Sequence, residues 1–579
     1  MIEVNGVSVS YSADIASEPL MDAAPSCCAL DDITCSCNPG EIVSLAGLNG
    51  SGKSTLSRLL CAMRLPDMGT VLVDGVNPAD GERERLVVRA SVGFVQQDPV
   101  DQIVSTLVFD EVAFGPRNLG LDEEEIAGRV EGSLAAVGLE GFDSRDVNGL
   151  SGGEQQRLAL AGVLAMDPAY LVLDEATSHL DSAARPAFRA LVDSLAHRRG
   201  LGIVQVTHDP VELLASDRVV VLEHGKIVWQ GEPERLLIDR RDLWDSLTLE
   251  SLYVSAVEKA LEAGVDLSCI RSPQRLLSWL QKDSVAFSRH RDALGPLKSH
   301  SEGSSADRGA LERSKKGSSR CGIEVRGVSF SYESTRPVLD SVSLTASPGR
   351  ITLLAGRSGS GKSTLAMLLA GLSDPDAGRI DVDGEPPAPS RCGLAFQRPE
   401  NQLFLQTVWD EIAFAPRNAG LDEGDLDARV RSIAGRVGLE EDLLDRSPFE
   451  LSGGQARRVG LACVLSLSAG AYVFDEPTAG LDAPGRLHLH QLVRDLADEG
   501  AAVVLITHDL DEWIGDVDDV ALMADGSISW AGAARELWNE PGVYRAAGIE
   551  PPESALLLEA LRGVAAAGEA EEVGHGEHE

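Results

Sequence analysis

Two segments, GLNGSGKST from Gly47 to Thr55 and GRSGSGKST from Gly356 to Thr364, have the residue types and spacing to hold a chain of phosphates. Each follows an apolar run, IVSLA or ITLLA, and precedes a helical pattern, the strand-loop-helix setting that a phosphate loop requires. Glycines Gly47, Gly50 and Gly52, interleaved with Leu48, Asn49 and Ser51, let backbone N–H groups turn inward at a helix N-terminus. Gly356, Gly359 and Gly361 do the same among Arg357, Ser358 and Ser360. Lys53 and Lys362 then reach the β- and γ-phosphates, and Ser54 and Ser363, followed by Thr55 and Thr364, offer hydroxyls to Mg²⁺.

Two carboxylate pairs have the chemistry to work beside these loops. YLVLDE and AYVFDE each carry an acidic pair at the end of an apolar strand, where phosphates lie in an open α/β sheet. Asp174 and Asp475 are expected to orient the Mg²⁺ shell, and Glu175 and Glu476 to polarise the attacking water as general bases. The plain alternative is a pair of surface acids ending a strand. His208 and His508 close the β-rich runs GIVQVTH and AVVLITH, so they should arrive at the same sheet edge and contact the γ-phosphate. A lone histidine there would read as structural; its place after the third matched strand argues for the site.

These motifs recur because the chain contains itself twice. LSGG at Leu150 to Gly153 returns at Leu451 to Gly454, and DEVAFGPRNLGLDE from Asp110 returns as DEIAFAPRNAGLDE from Asp410, at an offset of 300 or 301 residues. Two homologous α/β domains follow, expected over 1–239 and 321–545. Between them, 240–320 reads first as helix (LWDSLTLESLYVSAVEKALEAG, PQRLLSWLQK), then as a glycine- and serine-rich tether. Residues 546–579 read as a short helix and an acidic disordered tail.

The first copy carries about twelve extra residues near SADIASEPLMDAAPSCC, a loop insertion by composition. Cys27, Cys28, Cys35 and Cys37 match no standard zinc spacing. Aligned against Leu344 and Ala346, Cys35 and Cys37 read as small thiols on one strand face.

Composition excludes several classes of function. Lys+Arg 51 against Asp+Glu 91 gives a net charge of −40, which repels nucleic-acid phosphates, and only eight lysines are present, two of them in the phosphate loops. No stretch reaches the roughly 18 apolar residues of a membrane span, and MIEVNGVSVS lacks signal-peptide features, so a cytosolic chain with reduced thiols is expected.

The order of motifs resembles that of ABC-type ATPase domains: phosphate loop, glutamine (Gln97, Gln397), LSGG, the acidic pair, LD (Asp181, Asp482) and TH. LSGG separates these from other phosphate-loop enzymes. The resemblance implies two tandem phosphate-loop domains, each an α/β mixed sheet core with a helical subdomain carrying LSGG, and ATP and Mg²⁺ as ligands, with Gln97 and Gln397 joining the metal set. It also implies a head-to-tail pairing in which Lys53 works with Ser452, Gly453 and Gly454, and Lys362 with Ser151, Gly152 and Gly153. Tyr11 and Tyr332 look like the aromatic residues on which adenine stacks.

The segment after each glutamine resembles the ATPases of energy-coupling-factor importers, which take up vitamins and transition-metal ions. That resemblance implies a peripheral protein on the cytoplasmic membrane face, working with a transmembrane coupling subunit and a substrate-capture membrane subunit, and no nucleic acid. Asp110, Glu111, Asp410 and Glu411 would stand at the rim of an apolar groove formed with Val112, Phe114, Ile412 and Phe414 and dock the coupling subunit; alternatively they only start a helix. Departures from the family pattern include SHLD, with His179, and SGGQARR in the second copy. The rival is a soluble tandem ATPase of the translation-factor type. Such proteins usually have a strongly basic linker, whereas 291–320 here holds seven Lys/Arg against four Asp/Glu.

Overall fold

A computed structural model describes residues 1–11, 27–178, 180, 184–249, 252–262, 270–282, 322–332, 337–357, 359–513, 515–537, 541–547, 549, 551–553, 555–557 and 559. The twelve-residue insertion, most of the tether and the tail lie outside these residues, as do Ser358, His179 and Asp181. The chain divides into two compact units, Met1–Glu250 with Gly264–Leu276, and Ser251–Ala263 with Leu277–Glu579. The helix Leu252–Glu262 groups with the second unit.

Continuous apolar runs build the centre of each unit, because a strand covered on both faces has no solvent side to make polar. In the first unit the strand order is Val92–Val95, Tyr170–Asp174, Gly202–Val206, Ile42–Ala46, Arg218–Glu223, Lys226–Gly231. The first five run parallel and the last pairs antiparallel. Alternate residues serve two cores. Leu171 and Leu173 pack with helical residues such as Val112 and Leu160, while Tyr170 and Val172 pack with Leu56 and the small sheet. That small antiparallel sheet has Ile2–Tyr11 between Cys27–Cys37 and Met68–Val73. Its cysteines sit in the register expected: Cys35 opposes Val4 and Cys37 opposes Ile2, as Leu344 opposes Val325 and Ala346 opposes Ile323. Burial pushes the Cys37 thiol up to about 12, so it stays an inert apolar filler.

The second unit repeats the plan with Cys392–Ala395, Ala471–Asp475, Ala502–Ile506, Ile351–Gly356, Asp519–Ala524 and Ser527–Ala533. In each, a helical layer carries the remaining motifs: Val108–Asn118 and Gly152–Leu164, or Val408–Asn418 and Gly453–Ser466. Among the described residues no helix is long and apolar enough to cross a membrane.

Candidate nucleotide site

Each phosphate loop leaves its sheet at Ala46 or Gly356 and enters a helix at Lys53 or Lys362. Glycine is demanded there by close approach. A Cβ on Gly47 (φ 148°) would lie 2.2 Å from the Leu222 carbonyl oxygen, and one on Gly52 (φ 103°) 2.6 Å from that of Ala29. Gly356 and Gly361 repeat this against Met523 and Leu339, at 2.2 and 2.6 Å. What remains is a bare-backbone cradle, with Leu48, Asn49 and Gly50 or Arg357 and Gly359 along its rim. The hydroxyls of Ser51 and Ser360 are buried in it without a hydrogen-bond partner among the described residues. Lys53 donates to the carbonyls of Gly47 and Leu48, and Lys362 to those of Gly356 and Arg357, which aims each ammonium along its loop. Cradle, orphaned hydroxyls and ammonium together fit a phosphate chain. Ser54 and Ser363 stand exposed on the first helical turn, and Thr55 and Thr364 are buried beneath.

The acidic pairs arrive beside these loops on the strands Tyr170–Asp174 and Ala471–Asp475. Burial pushes Asp174 up to about 6, reinforced by Glu175 and opposed by Lys53 and Arg58. Asp475 is raised for the same first reason, against a hydrogen bond from Ser363. A carboxylate held dry beside a hydroxyl is a donor set that a hard cation would favour, so Asp475 with Ser363 fits Mg²⁺, and the buried Asp174 offers the matching carboxylate in the first unit. Glu175 and Glu476 adopt left-handed backbone at φ 49° and 50°, and their N–H groups donate to Val206 and Ile506 across the sheet. That turn brings each glutamate to its histidine. His208 Nε2 is 3.4 Å from Glu175 Oε1, and His508 Nδ1 is 2.8 Å from Glu476 Oε1. Burial alone would raise Glu476, but His508, Lys362 and a hydrogen bond from Thr507 outweigh it and hold the carboxyl below its ordinary range. Thr507 directly precedes His508, so the strand end that delivers the histidine also supplies this hydroxyl.

The remaining residues divide. Gln97 Nε2 donates to Glu175 Oε2 at 3.0 Å, whereas Gln397 is exposed and its side chain makes no hydrogen bond to Glu476. The Tyr11 and Tyr332 hydroxyls lie 3.4 and 3.2 Å from those of Thr55 and Thr364, tying each ring to its phosphate-loop helix. Arg64 covers one face of Tyr11 at 4.2 Å, so a base could stack only on the other; Ser373 holds the matching place in the second copy. Ser151 and Ser452 cap the helices beginning at Gly152 and Gly453 through reciprocal bonds with Glu154 and Gln455. A Cβ on Gly152, Gly453 or Gly454 would meet nothing within 4 Å, and one on Gly153 would meet Ala184 at 3.3 Å. These helix ends are therefore bare.

The acids after the glutamine loops correct the expectation of a two-acid rim. Asp110 is on the surface, paired with Arg117 at 3.0 Å, and Asp410 lies 3.8 Å from Arg417. Glu111 and Glu411 instead turn inward. Glu111 accepts from the amides of Val104 and Ser105 at 2.9 and 2.7 Å, and Glu411 from those of Phe404 and Leu405. Val112 and Ile412 are core residues, while Phe114 and Phe414 remain exposed.

Phosphate loop, buried acid, left-handed glutamate and strand-end histidine on a mixed sheet with a helical layer define an ATP-binding α/β domain, present twice. The chain belongs to the ABC transporter family, whose model matches residues 30–178 and 339–479. It is similar to a putative ABC transporter ATP-binding protein of Bifidobacterium longum, 36% identical over 89% of this chain and 65% of that protein's length. Another, from Caldanaerobacter subterraneus, is 31% identical over 92% of this chain and 93% of its own. A putative HMP/thiamine import ATP-binding protein of Bacillus subtilis is 28% identical over 95% of each. The chain is an ATPase that uses ATP with Mg²⁺. Bound at the site, Mg²⁺ supplies neutralisation of phosphate charge. These relatives lend the translation-factor alternative no support.

Proposed function

We propose that the chain is the ATP-hydrolysing subunit of an energy-coupling-factor-type importer, powering uptake of a vitamin or transition-metal ion through separate membrane subunits. The observation that carries this reading is a surface repeated in both units immediately after the glutamine loop. Asp110 and Phe114, and Asp410 and Phe414, are four apart on a helix and so share one face. Phe114 is 51% exposed and Phe414 43%, with Val104, Leu107 and Phe404 exposed alongside. An apolar patch rimmed by charge is what a protein partner covers. An incoming helix of the coupling subunit would bury the phenylalanines and offer a basic residue to the aspartates. The thiamine-import name of the Bacillus subtilis relative supports a vitamin as cargo.

In this reading the protein is peripheral on the cytoplasmic membrane face. Its units pair head to tail, Lys53 with Ser452 and Lys362 with Ser151, so that each bare LSGG helix end closes on the other unit's phosphate chain. Glu175 and Glu476 take a proton from the attacking water, and His208 and His508 hold those carboxylates in place.

Co-purification from native cells tests it. Wild-type chain should bring down membrane proteins, and Phe114→Asp with Phe414→Asp should lose them while ATP turnover of the isolated chain stays within about twofold. Recovery with ribosomes instead would overturn the importer reading.

A further inference from the structure

SGGEQQR in the first copy becomes SGGQARR in the second, so Gln156 corresponds to Arg457. Both side chains are buried, at 1% and 8% exposure. Gln156 Nε2 donates to the Gln96 carbonyl at 3.3 Å. Arg457 reaches further. Its Nη2 donates to the carbonyls of Gln397 and Glu476 at 3.2 Å and of Pro477 at 3.0 Å, and its Nη1 to that of Ala479. Four carbonyls from two loops converge on one guanidinium: the start of the glutamine loop and the turn that carries Glu476. Nη1 and Nη2 bring four N–H bonds to these four carbonyls, three of the carbonyls sharing the two on Nη2, while Nε finds no partner among the described residues; a glutamine amide has two N–H bonds in all.

Burying this cation is unfavourable, as its depressed pKa reflects, and the charge of Glu400 offsets only part of that. Packing alone would be met as well by glutamine, as the first unit demonstrates. The difference lies in how each base is linked to its glutamine loop. In the first unit the link is direct, Gln97 side chain to Glu175 side chain. In the second, the Gln397 side chain is turned to solvent, and Arg457 joins the two backbones instead. Glu476 needs such support, since its left-handed φ of 50° is sparsely populated by residues with a Cβ.

We propose that Arg457 is a positioning residue of the second unit, clamping the glutamine loop to the Glu476 turn so that movement of one is transmitted to the other. The proposal rests on Glu476 being the general base. The test uses the full-length chain in a Glu175→Gln background, where turnover reports the second base. Arg457→Gln should lower kcat about fivefold with KM for ATP within about twofold, and Arg457→Lys, a cation without the fork, should recover only part of the loss. Hydrogen exchange should quicken at amides 397–405 and 476–481 and not elsewhere. Unchanged kcat and exchange would overturn the proposal, as would parallel losses in kcat, KM and melting temperature, the mark of a packing residue. If Arg457→Gln does not fold, exchange in Arg457→Lys decides: quickening confined to those two segments supports the clamp, and none overturns it. Adding Glu476→Gln separates the two readings. Turnover that survives it removes the base, whereas turnover lost with Glu476→Gln but untouched by Arg457→Gln removes only the clamp.

Discussion

Glu476 Oε1 stands 2.8 Å from His508 Nδ1 and its Oε2 accepts from Thr507 at 3.2 Å, whereas Glu175 Oε1 is 3.4 Å from His208 Nε2. The histidine contact is thus closer in the second unit, while Glu175 takes a hydrogen bond from Gln97 that Glu476 lacks. His508→Ala should cost more turnover than His208→Ala, about tenfold against a few-fold, because it removes the main charge holding Glu476 ionised. Steady-state ATP hydrolysis of the two single variants checks this; equal losses would deny the asymmetry.

Glu111 and Glu411 anchor the glutamine loops from within. Glu111→Ala removes a buried carboxylate that accepts from the amides of Val104 and Ser105, a loss of about 1.5 to 3 kcal/mol, the usual worth of hydrogen bonds to a charged group. Asp110→Ala removes an exposed ion pair with Arg117 and should leave stability nearly unchanged, because solvent screens such pairs. Denaturant unfolding of the two variants should separate them by that margin.

His490 gives the second unit a pH dependence of stability. Its ring stacks on Trp513 at 3.7 Å, with Nδ1 2.7 Å from Asp516 and Nε2 3.3 Å from Glu512, which also lies 3.7 Å from Arg486. Burial alone would lower its pKa, but the two carboxylates raise it from 6.5 to about 9. A raised histidine pKa stabilises the fold fully below 6.5 and loses that contribution as pH rises through 9. His490→Asn should therefore lower the melting temperature at pH 6 by far more than at pH 10, the difference amounting to at most about 3 kcal/mol. Arg189 occupies the matching place in the first unit, 3.7 Å from Asp209.

The phosphate loops, acidic pairs and histidines are readable in the sequence because each motif fixes its own position relative to a strand end. Glu111 is misread when acidity alone is weighed. Val108, Glu111 and Val112 are spaced i, i+3, i+4, which puts the glutamate on the buried stripe and Asp110 off it; Val408, Glu411 and Ile412 repeat the signal. Arg457 announces itself as a departure from the first copy, but its partners lie 60 and about 20 residues away, so only the fold assigns them. The cover of Tyr11 by Arg64 is likewise a tertiary contact, between a strand and the turn that follows a helix, that no local pattern encodes.

In the proposed mechanism both units hydrolyse ATP with Glu175 and Glu476 as bases. Its most direct test is ATP binding and hydrolysis by the double variant Glu175→Gln, Glu476→Gln. The phosphate loops are untouched, so ATP should bind as in the wild type, while turnover should fall by about 10² to 10⁴-fold. Hydrolysis at the wild-type rate in that variant would contradict the account.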